Sequence, residues 1–122
     1  MDGQDEAVVR KFQKELNAGT VSLVLLAILD RSPEPLYGYE IAKRIGGALT
    51  AETPVKQGTL YPVLRSMESS ELLTSRVEPS VSGPPRKYYS ITDRGRTALV
   101  EWKATWSRTR DFVDATLEGN VG

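Results

Sequence analysis

The chain has 122 residues with sixteen basic and sixteen acidic side chains, so its formal charge is zero and no overall positive field advertises nucleic acid. It contains neither cysteine nor histidine, which excludes a disulfide framework, thiolate zinc sites, a cysteine nucleophile, and the commonest general base and metal ligand. The length suits one domain, or one domain with an added arm, and suffices to bury a core. No apolar run approaches the ~20 residues of a membrane span, and the polar, acidic start is unlike a signal peptide. A cytoplasmic location is expected.

From Gln4 to Leu16, Val9, Phe12 and Leu16 recur at helical spacing with charge on the other side, the pattern of an amphipathic arm. Asn17, Ala18 and Gly19 supply a C-terminal stop, because glycine takes the left-handed conformation without steric penalty. Thr20 can then cap a second helix. Its residues from Val21 to Leu29 are apolar around most of the circumference, which marks the central core helix. The proline-punctuated segment from Asp30 to Pro35 ends it. A third helix is expected from Leu36 to Ile45, with Tyr37, Ile41, Ala42 and Ile45 inward and Gly46-Gly47 closing it. From Ala48 to Val55 the signal is weak, and Pro54 argues for a turn.

Gly58 to Met67 is a short helical pattern with Leu60, Val63, Leu64 and Met67 on one face. The opposite face collects Gly58, Tyr61, Pro62 and Arg65, flanked by Thr59 and Ser66, with Lys56 and Gln57 at its N-terminal mouth. A face meant only for water would favour Glu, Lys and Gln. Amide, hydroxyl, phenol and guanidinium groups on a helix suit base edges and flanking phosphates. The plainer alternative is an amphipathic core helix with a proline in its early turns.

After Leu72-Leu73 the period changes. Thr74 to Glu78 and Arg86 to Ile91 look like two strands around the turn-rich segment from Pro79 to Pro85. The second begins with two adjacent cations, Arg86 and Lys87, so the hairpin is expected to concentrate positive charge. Either Tyr88 or Tyr89 must face inward, because side chains alternate along a strand. A basic hairpin beside a helix, connection, helix arrangement is a winged helix-turn-helix.

Thr92 caps a last helix that runs to about Glu118, roughly 40 Å at 1.5 Å per residue. Leu99, Trp102, Trp106, Thr109, Val113 and Thr116 repeat along it in steps of three and four, a heptad seam that asks for a partner. Trp102 and Trp106 are also candidates to line a gap for a flat aromatic ligand between symmetry-related helices; the alternative is a filled, dry interface. The fold class expected is therefore mainly α with a small β-hairpin. Its parts are an N-terminal arm (1–19), a winged helix-turn-helix (20–91), and a C-terminal dimerisation helix and tail (92–122).

Three stretches, LYGYEIAKRI from Leu36 to Ile45, GTLYP from Gly58 to Pro62, and GPPRKYYSITDRG from Gly83 to Gly95, resemble in order and spacing the motifs of the PadR family of bacterial transcriptional regulators. The resemblance implies a homodimeric winged-helix repressor of the short type, joined through its single C-terminal helix with help from the arm. That surface would include Val9, Phe12, Leu16, Leu99, Trp102, Trp106, Thr109, Val113 and Leu117. On the DNA side, Lys56, Gln57, Thr59, Tyr61 and Arg65 would be presented by the recognition helix. Tyr37, Tyr39 and Lys43 would reach phosphates, as would Arg86 and Lys87 from the wing. No metal or cofactor is implied, and relatives respond to small aromatic effectors.

Two classes of function compete at this point. A double-stranded DNA operator is the partner expected for a repressor, while the zero net charge keeps open a winged-helix module that binds protein instead. An enzyme is not supported, since neither a histidine nor a cysteine is present and no carboxylate pair accompanies a nucleophile or a phosphate-binding glycine loop.

Overall fold

A computed structural model describes residues 3–49 and 57–120. Lys56 and the turn expected around Pro54 lie outside the described residues. The chain begins with one continuous helix, α1 (Gly3–Arg31), rather than an arm, a stop and a second helix. Asn17 accepts a hydrogen bond from Gln13 one turn earlier, at 2.7 Å. Thr20 does not cap anything; its hydroxyl donates to the Leu16 carbonyl at 2.9 Å. Starting a new helix is costly, whereas carrying an existing one through a single glycine costs only about 1 kcal/mol. Gly19 is therefore crossed rather than used as a stop. Contrary to the expectation that no segment could span a membrane, α1 is long and apolar enough to do so by length and composition. Its residues Val21, Leu25, Leu26 and Leu29 instead form the middle of the core.

Leu36 and Tyr37 form a short strand, β1 (Leu36–Tyr37), and helix α2 (Gly38–Leu49) starts after it. This corrects the expected helix start at Leu36. The carboxylate of Glu40 accepts from the Tyr37 backbone N–H at 3.2 Å, half of a capping box that places the helix boundary between Tyr37 and Gly38. Nor do Gly46 and Gly47 end α2, which continues to Leu49. Ile41 and Ile45 are fully buried, and Ala42 packs beside them.

Helix α3 (Gln57–Ser69) buries Leu60, Leu64 and Met67, with Val63 partly covered. It ends in a Schellman motif: Leu72 N–H donates to the Met67 carbonyl at 2.9 Å and Glu71 N–H to the Glu68 carbonyl at 3.0 Å. The left-handed position that this motif requires is taken by Glu71, at φ 63°. Strands β2 (Leu73–Ser80) and β3 (Gly83–Ile91) follow, in an antiparallel sheet of order β1-β3-β2. The hairpin is longer than its sequence suggests, because Pro79, Pro84 and Pro85 lie within strands and only Val81 and Ser82 make the turn. Proline is tolerated there because β2 is an edge and β1 pairs with only Tyr88 and Tyr89 of β3.

The last helix, α4 (Asp93–Leu117), is capped by Thr92, whose hydroxyl accepts from Gly95 N–H at 3.0 Å. The same hydroxyl donates to the Glu71 carbonyl at 2.7 Å, which ties the start of α4 to the end of α3. A Cβ on Gly95 would stand 2.3 Å from the Leu72 carbonyl oxygen, so only glycine permits this approach. Leu99 is 3% exposed and belongs to the protomer core, which removes it from the expected dimer surface.

Candidate nucleic-acid interface

Helix α3 shows solvent the face expected of it. Gly58, Thr59, Tyr61, Pro62, Arg65 and Ser66 are all exposed, because the 100° step per residue separates them from Leu60, Leu64 and Met67. Gln57 opens the helix. Tyr61 does not stand alone on this face. Its ring lies against Gly38 at the start of α2, where an added Cβ would meet the ring Cε1 at 2.7 Å and the phenol oxygen at 2.8 Å. Glycine at that position lets the phenol of α3 cover the first turn of α2, so two of the helices that bear candidate contacts share one surface.

The β1-α2 junction carries the second part. Tyr37 and Tyr39 are stacked with centroids 6.2 Å apart, and Tyr88 of β3 meets Tyr37 edge-on at 5.6 Å. The Arg86 guanidinium lies 4.6 Å from the Tyr37 ring centroid, a cation–π contact. Tyr37, Tyr39, Glu40, Lys43 and Arg44 line one open cleft. Lys43 and Arg44 are both exposed. Arg44 was not among the residues singled out from the sequence, although the adjacent Lys43-Arg44 pair at the polar side of a helix was its signal. The cleft thus joins phenol hydroxyls, aromatic faces and two cations with one carboxylate, Glu40, that is engaged by the Tyr37 N–H; hydroxyls and cations of this kind can hold phosphate oxygens without reading sequence.

The wing does not carry the single positive patch expected of it. Tyr89 is 3% exposed and faces the core, whereas Tyr88 is half-buried on the other face. Alternation then sends Arg86 to the Tyr88 side and Lys87 to the Tyr89 side. Lys87 meets Glu68 of α3 at 3.0 Å. The Ser75 hydroxyl donates a hydrogen bond to the same carboxylate. Together, Ser75 first and Lys87 second, these partners hold the Glu68 carboxyl below its ordinary pKa, and the bond to Glu68 raises that of Lys87. Arg76 shares the Arg86 face and pairs with Glu78 at 2.8 Å. Beyond these residues the turn is uncharged, with Val81 fully exposed.

Away from this surface, a groove of about 510 Å³ runs between α1 and α4, lined by Leu16, Gly19, Leu23, Trp102, Trp106 and Thr109 among others. Trp102 packs against the core and Trp106 is 39% exposed. Val9, Phe12, Val113 and Leu117 are exposed apolar side chains on the same two helices. Among the described residues, no group of three or more acidic side chains is placed to hold a metal ion.

A two-helix unit with one polar, exposed helix face, flanked by a β-hairpin, defines a winged helix-turn-helix protein. The profile of the Transcriptional regulator PadR-like family matches residues 25–101, and the chain belongs to that family. Its members are transcriptional regulators and not enzymes. Among solved structures, the chain is similar to a PadR family transcriptional regulator from Eggerthella lenta DSM 2243, with 34% identity and a TM-score of 0.80 over 98% of this chain and 100% of that one. A PadR-like transcriptional regulator from Bacillus cereus strain ATCC 14579 is 33% identical, with a TM-score of 0.69 over 84% and 96% of the two chains. A PadR family regulator from Clostridium difficile R20291 is 32% identical, with a TM-score of 0.64 over 80% and 98%. No curated protein sequence matches the chain.

Proposed function

We propose that the protein is a sequence-specific repressor that binds a pseudo-palindromic operator as a homodimer and releases it when a small aromatic effector binds. The observation that carries this reading is the exposed face of α3, where Thr59, Tyr61 and Arg65 stand beside the cationic and aromatic cleft of α2. In this reading α3 enters the major groove. Thr59, Tyr61 and Arg65 meet base edges, while Tyr37, Tyr39, Lys43, Arg44 and Arg86 hold phosphates on either side. The protein would act in the cytoplasm, where the operator is.

The apolar side chains on α1 and α4 form the dimer surface, since Val9, Phe12, Trp106, Val113 and Leu117 otherwise leave a long apolar stripe in water. Two recognition helices then lie about one turn of DNA apart, roughly 34 Å. Trp102 and Trp106 are the residues on which a flat effector would stack. It would act by binding unequally to the dimer geometries that fit and do not fit the operator.

The deciding experiment selects bound fragments from the organism's own DNA and titrates the winning fragment with salt. A repressor shows one enriched palindrome and a steep loss of affinity as salt rises. No enrichment together with a salt-indifferent surface would assign the α3 face to a protein partner instead. Planar aromatic dyes test the effector site. They should quench tryptophan fluorescence in the parent and fail to do so in Trp106→Ala while that variant remains dimeric.

A further inference from the structure

Glu68 sits in the last turn of α3, and its two carboxylate oxygens reach two different strands. One accepts from the Ser75 hydroxyl of β2, and the other meets the Lys87 ammonium of β3 at 3.0 Å. Ser75 is opposite Tyr89 in the register and Val77 is opposite Lys87. Both partners of Glu68 therefore stand on the hairpin face that turns toward the core. The Lys87 ammonium also lies 5.4 Å from the ring centroid of the buried Tyr89, so its charge sits between that ring and the Glu68 carboxylate. The Glu68 side chain is 32% exposed and that of Lys87 43% exposed.

The position of this contact along the hairpin matters. β1 supports β3 only at Tyr88 and Tyr89, and Lys87 is the first residue beyond that support. From Lys87 to the turn at Val81 and Ser82 the wing extends by roughly 17 Å at about 3.3 Å per residue. A tilt of about 10° at the root would move its tip by about 3 Å, the length of a hydrogen bond. Whatever holds the root thus decides where the tip meets its target.

We propose that Glu68 is a positioning residue for DNA recognition: through Ser75 and Lys87 it clamps the wing against the recognition helix, and Lys87 serves this clamp instead of neutralising a phosphate. The proposal rests on the DNA-binding reading above. It divides the two adjacent cations of the wing by role, with Arg86 available to DNA and Lys87 committed to α3. The clamp fixes the angle between the two elements that would touch neighbouring grooves, so its loss should weaken discrimination more than general affinity.

The test uses the full chain, the selected operator duplex and a random-sequence duplex of equal length. Lys87→Met should leave the slope of log affinity against log salt unchanged and reduce the operator-to-random ratio several-fold. Glu68→Ala should reduce that ratio similarly and steepen the slope by about 0.9, because the freed ammonium reaches a phosphate. The double variant should be no less discriminating than either single one. If Lys87→Met flattens the slope by about 0.9 with the ratio preserved, Lys87 is a phosphate contact and the clamp is refuted. Amide hydrogen exchange without DNA supplies the independent arm. Exchange around Ser75 and Lys87 should accelerate in both variants, and unchanged exchange in both overturns the proposal. Should the parent bind neither duplex, the DNA reading fails, and the exchange result alone decides whether the clamp exists.

Discussion

Arg86 and Lys87 are adjacent in sequence, yet alternation along β3 gives them different neighbours: a tyrosine ring at 4.6 Å for one and a carboxylate at 3.0 Å for the other. The proposed function likewise assigns different partners to the exposed cations of α2 and the arginine of α3. Lys43 lines the cleft beside Tyr39; in the proposed reading it meets a phosphate, so Lys43→Ala should weaken all duplexes alike and flatten the salt slope by about 0.9. Arg65 projects from the exposed face of α3. Arg65→Ala should cost ~1 to 3 kcal/mol at one operator position and little elsewhere. Binding measured across a panel of single-base operator variants at two salt concentrations separates the two outcomes. Gly38 provides a second residue-scale test. The Cβ of Gly38→Ala would overlap the Tyr61 ring, and since that ring is the far end of a flexible side chain, the phenol should swing away while the fold survives. Operator affinity should drop with the thermal midpoint nearly unchanged; a collapse of the midpoint would show that the contact is structural only.

At the scale of elements, the ends of α3 and α4 use the same motif with different residues. Gly119 takes the left-handed position after α4 at φ 77°, with Gly119 N–H donating to Thr116 and Asn120 N–H to Ala115. After α3 the equivalent position is Glu71. A left-handed conformation costs a non-glycine residue ~1 to 2 kcal/mol, and glycine gives back part of that through its greater freedom when unfolded. The Glu71 ion pair with Arg94 is long, at 3.7 Å, and exposed on both sides, so little is lost with it. Glu71→Gly should therefore raise stability by about 0.5 to 1 kcal/mol, read as a higher midpoint in denaturant. Gly19 is the converse case, a glycine inside a helix with open space around its missing Cβ. Gly19→Ala should stabilise α1 by about 0.5 to 1 kcal/mol. A fall in stability would instead indicate that atoms of another chain fill the space beside it, as the proposed dimer would allow.

For the whole molecule, the dimer prediction sorts residues that one heptad pattern grouped together. Leu99 is buried within the protomer, whereas Phe12 is 61% exposed on α1. Leu99→Ala should cost ~2 to 5 kcal/mol of folding stability. Phe12→Asp should leave the fold intact and shift sedimentation toward the 13.5 kDa monomer. A parent that sediments only as monomer at micromolar concentration would remove the dimer from this account, and with it the paired recognition helices.

Much of the architecture was legible because it depends on local periodicity. The inward set Leu60, Leu64 and Met67, the outward set Thr59, Tyr61 and Arg65, and the Thr92 cap follow from 3.6-residue repeats and capping chemistry, which a sequence displays directly. The resemblance of three motifs already pointed to the family. What tertiary structure decided were the outcomes of competition between local signals and long-range contacts. Gly19 carries a stop signal, but a helix already formed on both sides overrides it. Leu36 and Tyr37 have helical neighbours, but β3 offers them backbone partners at Tyr89 and Tyr88. Residue spacing cannot distinguish Tyr88 from Tyr89, or Arg86 from Lys87, until the sheet acquires a buried side. Nor can it reveal that the carboxylate of Glu68 waits seven residues before Ser75 and nineteen before Lys87, because only folding brings those three side chains to one point.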